Sequence, residues 1–175
     1  MESLRFGLAH STASARAGTL ARVKPPAEDI FDPIECAALL ERLARIRENQ
    51  KPLWGKMSAG QMFAHCQAPL RVALGDTVLE RNLIGFLFGG FAKRQLLAPK
   101  PFGKNLPTAP EFRVVDARAF EKERDALLVL VERLGAGGPD VLTTEPHPFF
   151  GTLTAEEWSR LQWKHLDHHL RQFGA

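Results

Sequence analysis

The chain has 175 residues, 45% of them hydrophobic and 25% charged, which is enough to bury one core without covalent staples. A net charge of +3 and a pI of about 9.1 leave room for weak attraction to anions but do not select nucleic acid as a partner. Two cysteines, Cys36 and Cys66, both inside apolar helical patterns, require no disulfide framework and read as buried thiols in a reducing cytoplasm.

Residues 1–26 scatter Arg5, Arg16, Arg22 and Lys24 among Ser, Ala and Thr without a long apolar core. They lack the apolar segment of a secretory signal and read as a disordered extension ahead of a single domain over 27–175. Asp32, Pro33 and Glu35 combine an N-cap, a first-turn proline and a capping-box partner. A first helix is predicted over 33–47. Ser58 and Gln61 form a second capping box, opening a helix to about Gly75 that carries Met62, Phe63, His65, Cys66 and Leu70. Pro69 interrupts it, removing the hydrogen bond to the carbonyl of His65.

From 81 to 110 the character changes. A Gly-loosened apolar run, whose dense part at 83–92 is about half the roughly 20 residues needed to span a bilayer, argues against a membrane partner. It is followed by a Pro-rich irregular stretch. Arg81, Lys93, Arg94, Lys100 and Lys104 meet no acidic residue in this span, so it reads either as a solvated crossover or as a cationic surface for an anionic substrate group. A third helix, capped near Asp116 and stopped by Gly135, carries Phe120, Leu127, Leu130, Val131 and Leu134. The connection over 135–151 is longer than structure alone requires. His147, Phe149 and Phe150 at its end are candidates either to cover a site or to plug the helix ends.

The last helix starts at the capping box of Thr154 and Glu157 and ends at Gly174. With Trp158 set to zero and about 100° per residue, its apolar side chains average near 70°. His169 then lies at about 20°, His165 at about 340°, and His168 and Asp167 at about 280° and 180°, away from that face. His165 and His169 are thus one turn apart beside the core, the spacing that lets two imidazoles share one metal ion. His65 on the second helix makes a third candidate ligand. Three histidines from two helices leave coordination positions open to water, which fits a catalytic rather than a closed structural site. Gln61 and Gln162 are the polar candidates to support that site, and metal-bound water is the candidate nucleophile. No GxSxG, HExxH, Walker or dinucleotide fingerprint occurs.

The stretches WGKMSAGQMFAHCQ and HPFFGTLTAEEWSRLQWKHLDHHLRQFG resemble a bacterial family of unknown function in the DinB/YfiT-like superfamily. The resemblance implies an all-α, DinB-like four-helix bundle with a long crossover between helices 2 and 3, commonly a homodimer. It implies a divalent metal, of zinc, nickel or iron type, on the positions of His65, His165 and His169. It also implies a small-molecule substrate handled by thiol-dependent transfer, with a low-molecular-weight thiol as partner, or by hydrolysis at the metal. Residues 1–26 and the helix-interior Pro69 depart from the family pattern. The rival expectation is a non-enzymatic helical ligand-binding or stress-response module whose histidines are structural.

Overall fold

The computed structural model describes residues 28–80, 89–90 and 93–175. The expected extension over 1–26 and most of the apolar run at 83–92 lie outside the described residues.

Three of the four long helices begin where a side chain can satisfy the free N–H groups of a first turn. For α1, Pro33–Arg45, Asp32 Oδ1 accepts from the N–H groups of Ile34 at 2.8 Å and Glu35 at 3.2 Å. For α2, Ala59–Ala73, Ser58 Oγ accepts from Gln61 N at 3.2 Å while Gln61 Oε1 accepts from Ser58 N at 2.9 Å. The last helix, Ala155–Gln172, repeats the device with Thr154 and Glu157. Between them, α3 spans Phe120–Gly137 behind Ala119, which gives no side-chain cap; Asp116 lies outside its N-terminus. The last helix is α4. Among the described residues there is no strand, only an isolated antiparallel bridge between His147 and Gly151. Residues 89–90 and 93–97 are helical, and the stretch after them is irregular up to a short 3-10 turn at Pro110–Phe112.

Gly135 was expected to stop α3, but the helix continues to Gly137. A side chain at Gly135 would run into Cys36 Sγ on α1, so this glycine allows close helix approach instead. The positive φ of +58° falls on Gly138, the C-cap. Pro69 lies inside α2, which runs through it to Ala73.

The core follows from these faces. Leu39 and Leu43 of α1, Met62, Phe63 and Leu70 of α2, Leu127 and Leu134 of α3, and Leu166 and Leu170 of α4 form one buried cluster. Each such side chain contributes about 1.5–3 kcal/mol when fully buried. A second cluster joins Val72 and Ala73 to Leu96, Trp158 and Leu161, so the segment before the irregular stretch also packs on α4. As a result α4 is covered well beyond one apolar face: Lys164, Gln162, His168 and Gln172 are all buried along with its aromatics. This corrects the expectation that His168 points away from the core. Its ring is 8% exposed because Trp54 and Phe102, which lie outside the long helices, close over that side of α4, with ring centroids at 5.7 and 6.3 Å.

Candidate metal centre

His65 lies one turn after Gln61 on α2, whose start the Ser58–Gln61 box permits, and α2 packs directly against α4. The i, i+4 spacing of His165 and His169 does the rest. The ring centroids of His65 lie 5.0 Å from His165 and 4.7 Å from His169, and those of His165 and His169 are 4.7 Å apart. One nitrogen from each of the three lies within 4.8 Å of the others. His65 Nε2 and His165 Nε2 are 3.1 Å apart.

Two of the three rings have their tautomer dictated by neighbours. His65 Nδ1 lies 2.8 Å from the carbonyl oxygen of Phe112, which can only accept, so Nδ1 carries the proton and Nε2 a lone pair. His169 Nδ1 lies 2.8 Å from Gln172 Oε1. The amide of Gln172 is itself oriented, because its Nε2 donates to the carbonyl of Trp54 at 2.8 Å. Both lone pairs are therefore on Nε2. Metal-binding histidines carry this same outer-shell arrangement, with the second ring nitrogen donating to a carbonyl or carboxylate. His165 differs: it is partly exposed, and its Nδ1 is shielded from solvent with no hydrogen-bond partner among the described residues. His65 Nε2 and His169 Nε2 both carry lone pairs while His165 has a single ring proton, so at least one of the two lone pairs lacks a donor within the trio, and an ion accepting it would supply the missing partner.

Burial holds all three imidazoles neutral. It lowers the pKa of His65 against the opposing pull of the Phe112 carbonyl. It brings His169 down to about 3, with the neighbouring His65 adding to the effect and the Gln172 hydrogen bond opposing it. His165 is held well below the ordinary value, by burial first and then by the positive charge its histidine neighbours would carry. Neutral imidazole is the ligand form.

The other residues singled out in the sequence do different jobs. Gln61 reaches none of the histidines. Its Nε2 donates to the carbonyls of Val115 and Asp116 at 3.2 and 3.1 Å, pinning the segment that delivers the Phe112 carbonyl to His65. Gln162 is fully buried and donates to the carbonyl of Pro69 at 3.4 Å, tying α4 to α2, while its Oε1 has no partner among the described residues. His147 is buried as well. Its Nδ1 accepts from the backbone N–H groups of Phe149 at 3.0 Å and Phe150 at 3.2 Å, and its ring lies 5.3 Å from Trp158 at the start of α4. Phe150 packs on the second cluster, and Phe149 packs on Phe150. No described contact joins these three to the histidine trio. Lys93 pairs with Glu157 at 2.7 Å and donates to the carbonyl of Thr152 at 3.0 Å, so its charge serves the capping box of α4. Arg94 is exposed.

Three further participants are not among the residues expected from the sequence. Gln172 and the Phe112 carbonyl orient the ligands, and Trp54 stands against His168 with its indole N–H buried and unpaired among the described residues. A glutamine three residues after a histidine on a helix was the only legible hint, since that spacing shares a face.

Over residues 103–175 the chain matches the family described as Protein of unknown function (DUF1569). That match covers less than half of the chain and includes His165 and His169 but not His65. No curated protein and no solved structure matches the chain.

Proposed function

We propose that the protein is a DinB-like four-helix bundle, with the segment between α2 and α3 as its crossover. On this reading it holds one divalent metal on His65, His165 and His169 and acts on a small molecule, by thiol-dependent transfer or by hydrolysis. The observation that carries this reading is the convergence of three neutral imidazoles, two of them with Nδ1 committed to an acceptor and Nε2 turned to the common centre. An all-imidazole set suits zinc, nickel or iron-type ions rather than magnesium or calcium. When bound, such an ion supplies Lewis acidity to an oxygen or sulfur donor of the substrate. The protein's own part is orientation: His65 and His169 are fixed from behind, and the partly exposed His165 marks the side from which a small molecule approaches. Because all three pKa values are lowered, protons should compete for the nitrogens at a lower pH than they would for ordinary histidines.

A second reading rests on the 3.1 Å separation of His65 Nε2 and His165 Nε2, which is itself a hydrogen-bond distance. On that reading the histidines join α2 to α4 and the protein is a non-enzymatic binding module. Loading with cobalt separates the two. The enzyme reading predicts one cobalt per chain, with a sulfur-to-cobalt charge-transfer band when 2-mercaptoethanol is added if thiol transfer is the chemistry. Bound cobalt without that band points to hydrolysis. Protein that binds no cobalt, and whose melting temperature is unmoved by zinc or nickel, belongs to the second reading.

A further inference from the structure

We infer that Gln172, seated against Gly55, is the positioning residue that fixes His169 as a ligand; this rests on the proposed metal centre. The chain of contacts is short. Gln172 is 4% exposed, its Nε2 donates to the Trp54 carbonyl at 2.8 Å, and its Oε1 accepts from His169 Nδ1 at 2.8 Å. Its own backbone carbonyl accepts from Leu53 N at 2.7 Å, so both ends of the residue are held by the same short segment ahead of α2. A carbonyl cannot donate, so Trp54 sets which end of the amide faces His169. That end, an acceptor, sets which ring nitrogen carries the proton.

Gly55 is part of the same device. It sits at φ +79°, and a Cβ built there would lie 2.6 Å from Gln172 Nε2. Contacts that close do not persist, so an alanine at 55 displaces the amide nitrogen that donates to the Trp54 carbonyl. Gly55 lies more than a hundred positions from His169 in sequence, and the Trp-Gly pair at 54–55 thereby gains a reason tied to the site. Outer-shell partners of this kind typically change metal affinity by about 10- to 100-fold when removed.

Gly75 provides the control. It also has positive φ, +73°, but a Cβ there would meet only Thr143 at an ordinary 3.6 Å, far from the trio's supports. Alanine at either position carries the same backbone strain, and only one reaches Gln172.

The test uses zinc affinity and the 15N signals of His169 in the full-length protein. Gln172→Leu and Gly55→Ala should each weaken zinc binding about 10- to 100-fold, whereas Gly75→Ala should bind as the wild type does. Gln172→Glu, which keeps an acceptor for His169 but loses the donor to the Trp54 carbonyl, should weaken zinc binding less than Gln172→Leu does. In the metal-free wild type the proton of His169 should sit on Nδ1, and in Gln172→Leu that preference should be lost. Zinc binding by Gln172→Leu and Gly55→Ala equal to the wild type overturns the inference. A wild type that binds no zinc overturns the metal centre instead, and the tautomer then decides the role of Gln172: a proton on Nε2 of His169 overturns it, a proton on Nδ1 that Gln172→Leu loses upholds it.

Discussion

With a chelator present, the fold should lose stability steeply as pH falls from 6.5 towards 4, and His147→Asn should remove part of that slope. His147 closes the turn before α4, accepting two backbone N–H bonds on Nδ1 while the bridge to Gly151 fixes the chain on either side. Protonating Nδ1 would turn an acceptor into a donor facing two donors. Burial lowers its pKa to about 4. The unfolded chain offers a histidine of pKa about 6.5, so between those values it binds a proton that the native state refuses. Stability is therefore full above about 6.5 and is lost as pH falls, by about 3 kcal/mol for this residue at pH 4. His169, lowered to about 3, acts in the same direction, as do His65, His165 and His168. Against a typical total of about 5–15 kcal/mol, the His147 contribution alone is a sizeable part of the stability. Asparagine keeps an oxygen acceptor and has no proton to gain. Urea midpoints at pH 7, 6, 5 and 4 check the result; a flat wild-type profile, or an unchanged slope in His147→Asn, contradicts it.

The second large effect is expected at Lys164. It is 2% exposed, and its Nζ donates to the carbonyls of Leu96 at 2.9 Å and Ala98 at 2.8 Å, with the ring of Phe102 5.3 Å away. Burial lowers its pKa, with Arg160 adding to the effect and Glu28 opposing it. Replacing a whole buried pair with apolar groups can be neutral, but Lys164→Met removes one side only. The two carbonyls stay in place without their charged donor, and Leu96 loses the tie that keeps it in the second core cluster. A loss of about 2–4 kcal/mol at pH 7 follows. Unfolding free energies of the variant and the wild type test this, and a difference under about 0.5 kcal/mol would show that the carbonyls find other partners.

Which parts of this structure could be read from the sequence depends on how local their cause is. The capping boxes at Ser58 and Thr154 and the Asp32 N-cap involve residues three apart, and all three start helices as predicted. The pairing of His165 with His169 needed only helical geometry. His65 joined them because one apolar face of α2 also had to pack on α4. What escaped depended on distant chain. The face of α4 bearing Lys164 and His168 reads as solvated, since a charged residue and a histidine lie off the apolar stripe. It is buried because carbonyls at 96 and 98 and rings at 54 and 102 arrive from elsewhere. Lys93 illustrates the converse, a cation in a one-sided run whose partner, Glu157, is in another helix. Gly135 read as a stop signal because its close contact, with α1, leaves no mark in the local sequence.

Metal analysis of four single variants, His65→Ala, His165→Ala, His169→Ala and His168→Ala, tests the metal centre most directly, with helicity measured on each. His168 is the informative control, since it is buried like His65 and His169 and its ring lies 5.0 Å from that of His169, yet it is not among the converging nitrogens. Each of the first three variants should lose most of the metal while remaining helical, because the core closes on Leu, Phe and Met side chains rather than on an ion. His168→Ala should lose stability through the gap beside Trp54 and Phe102 but keep one metal per chain. Loss of metal in His168→Ala together with its retention in His165→Ala would contradict the account.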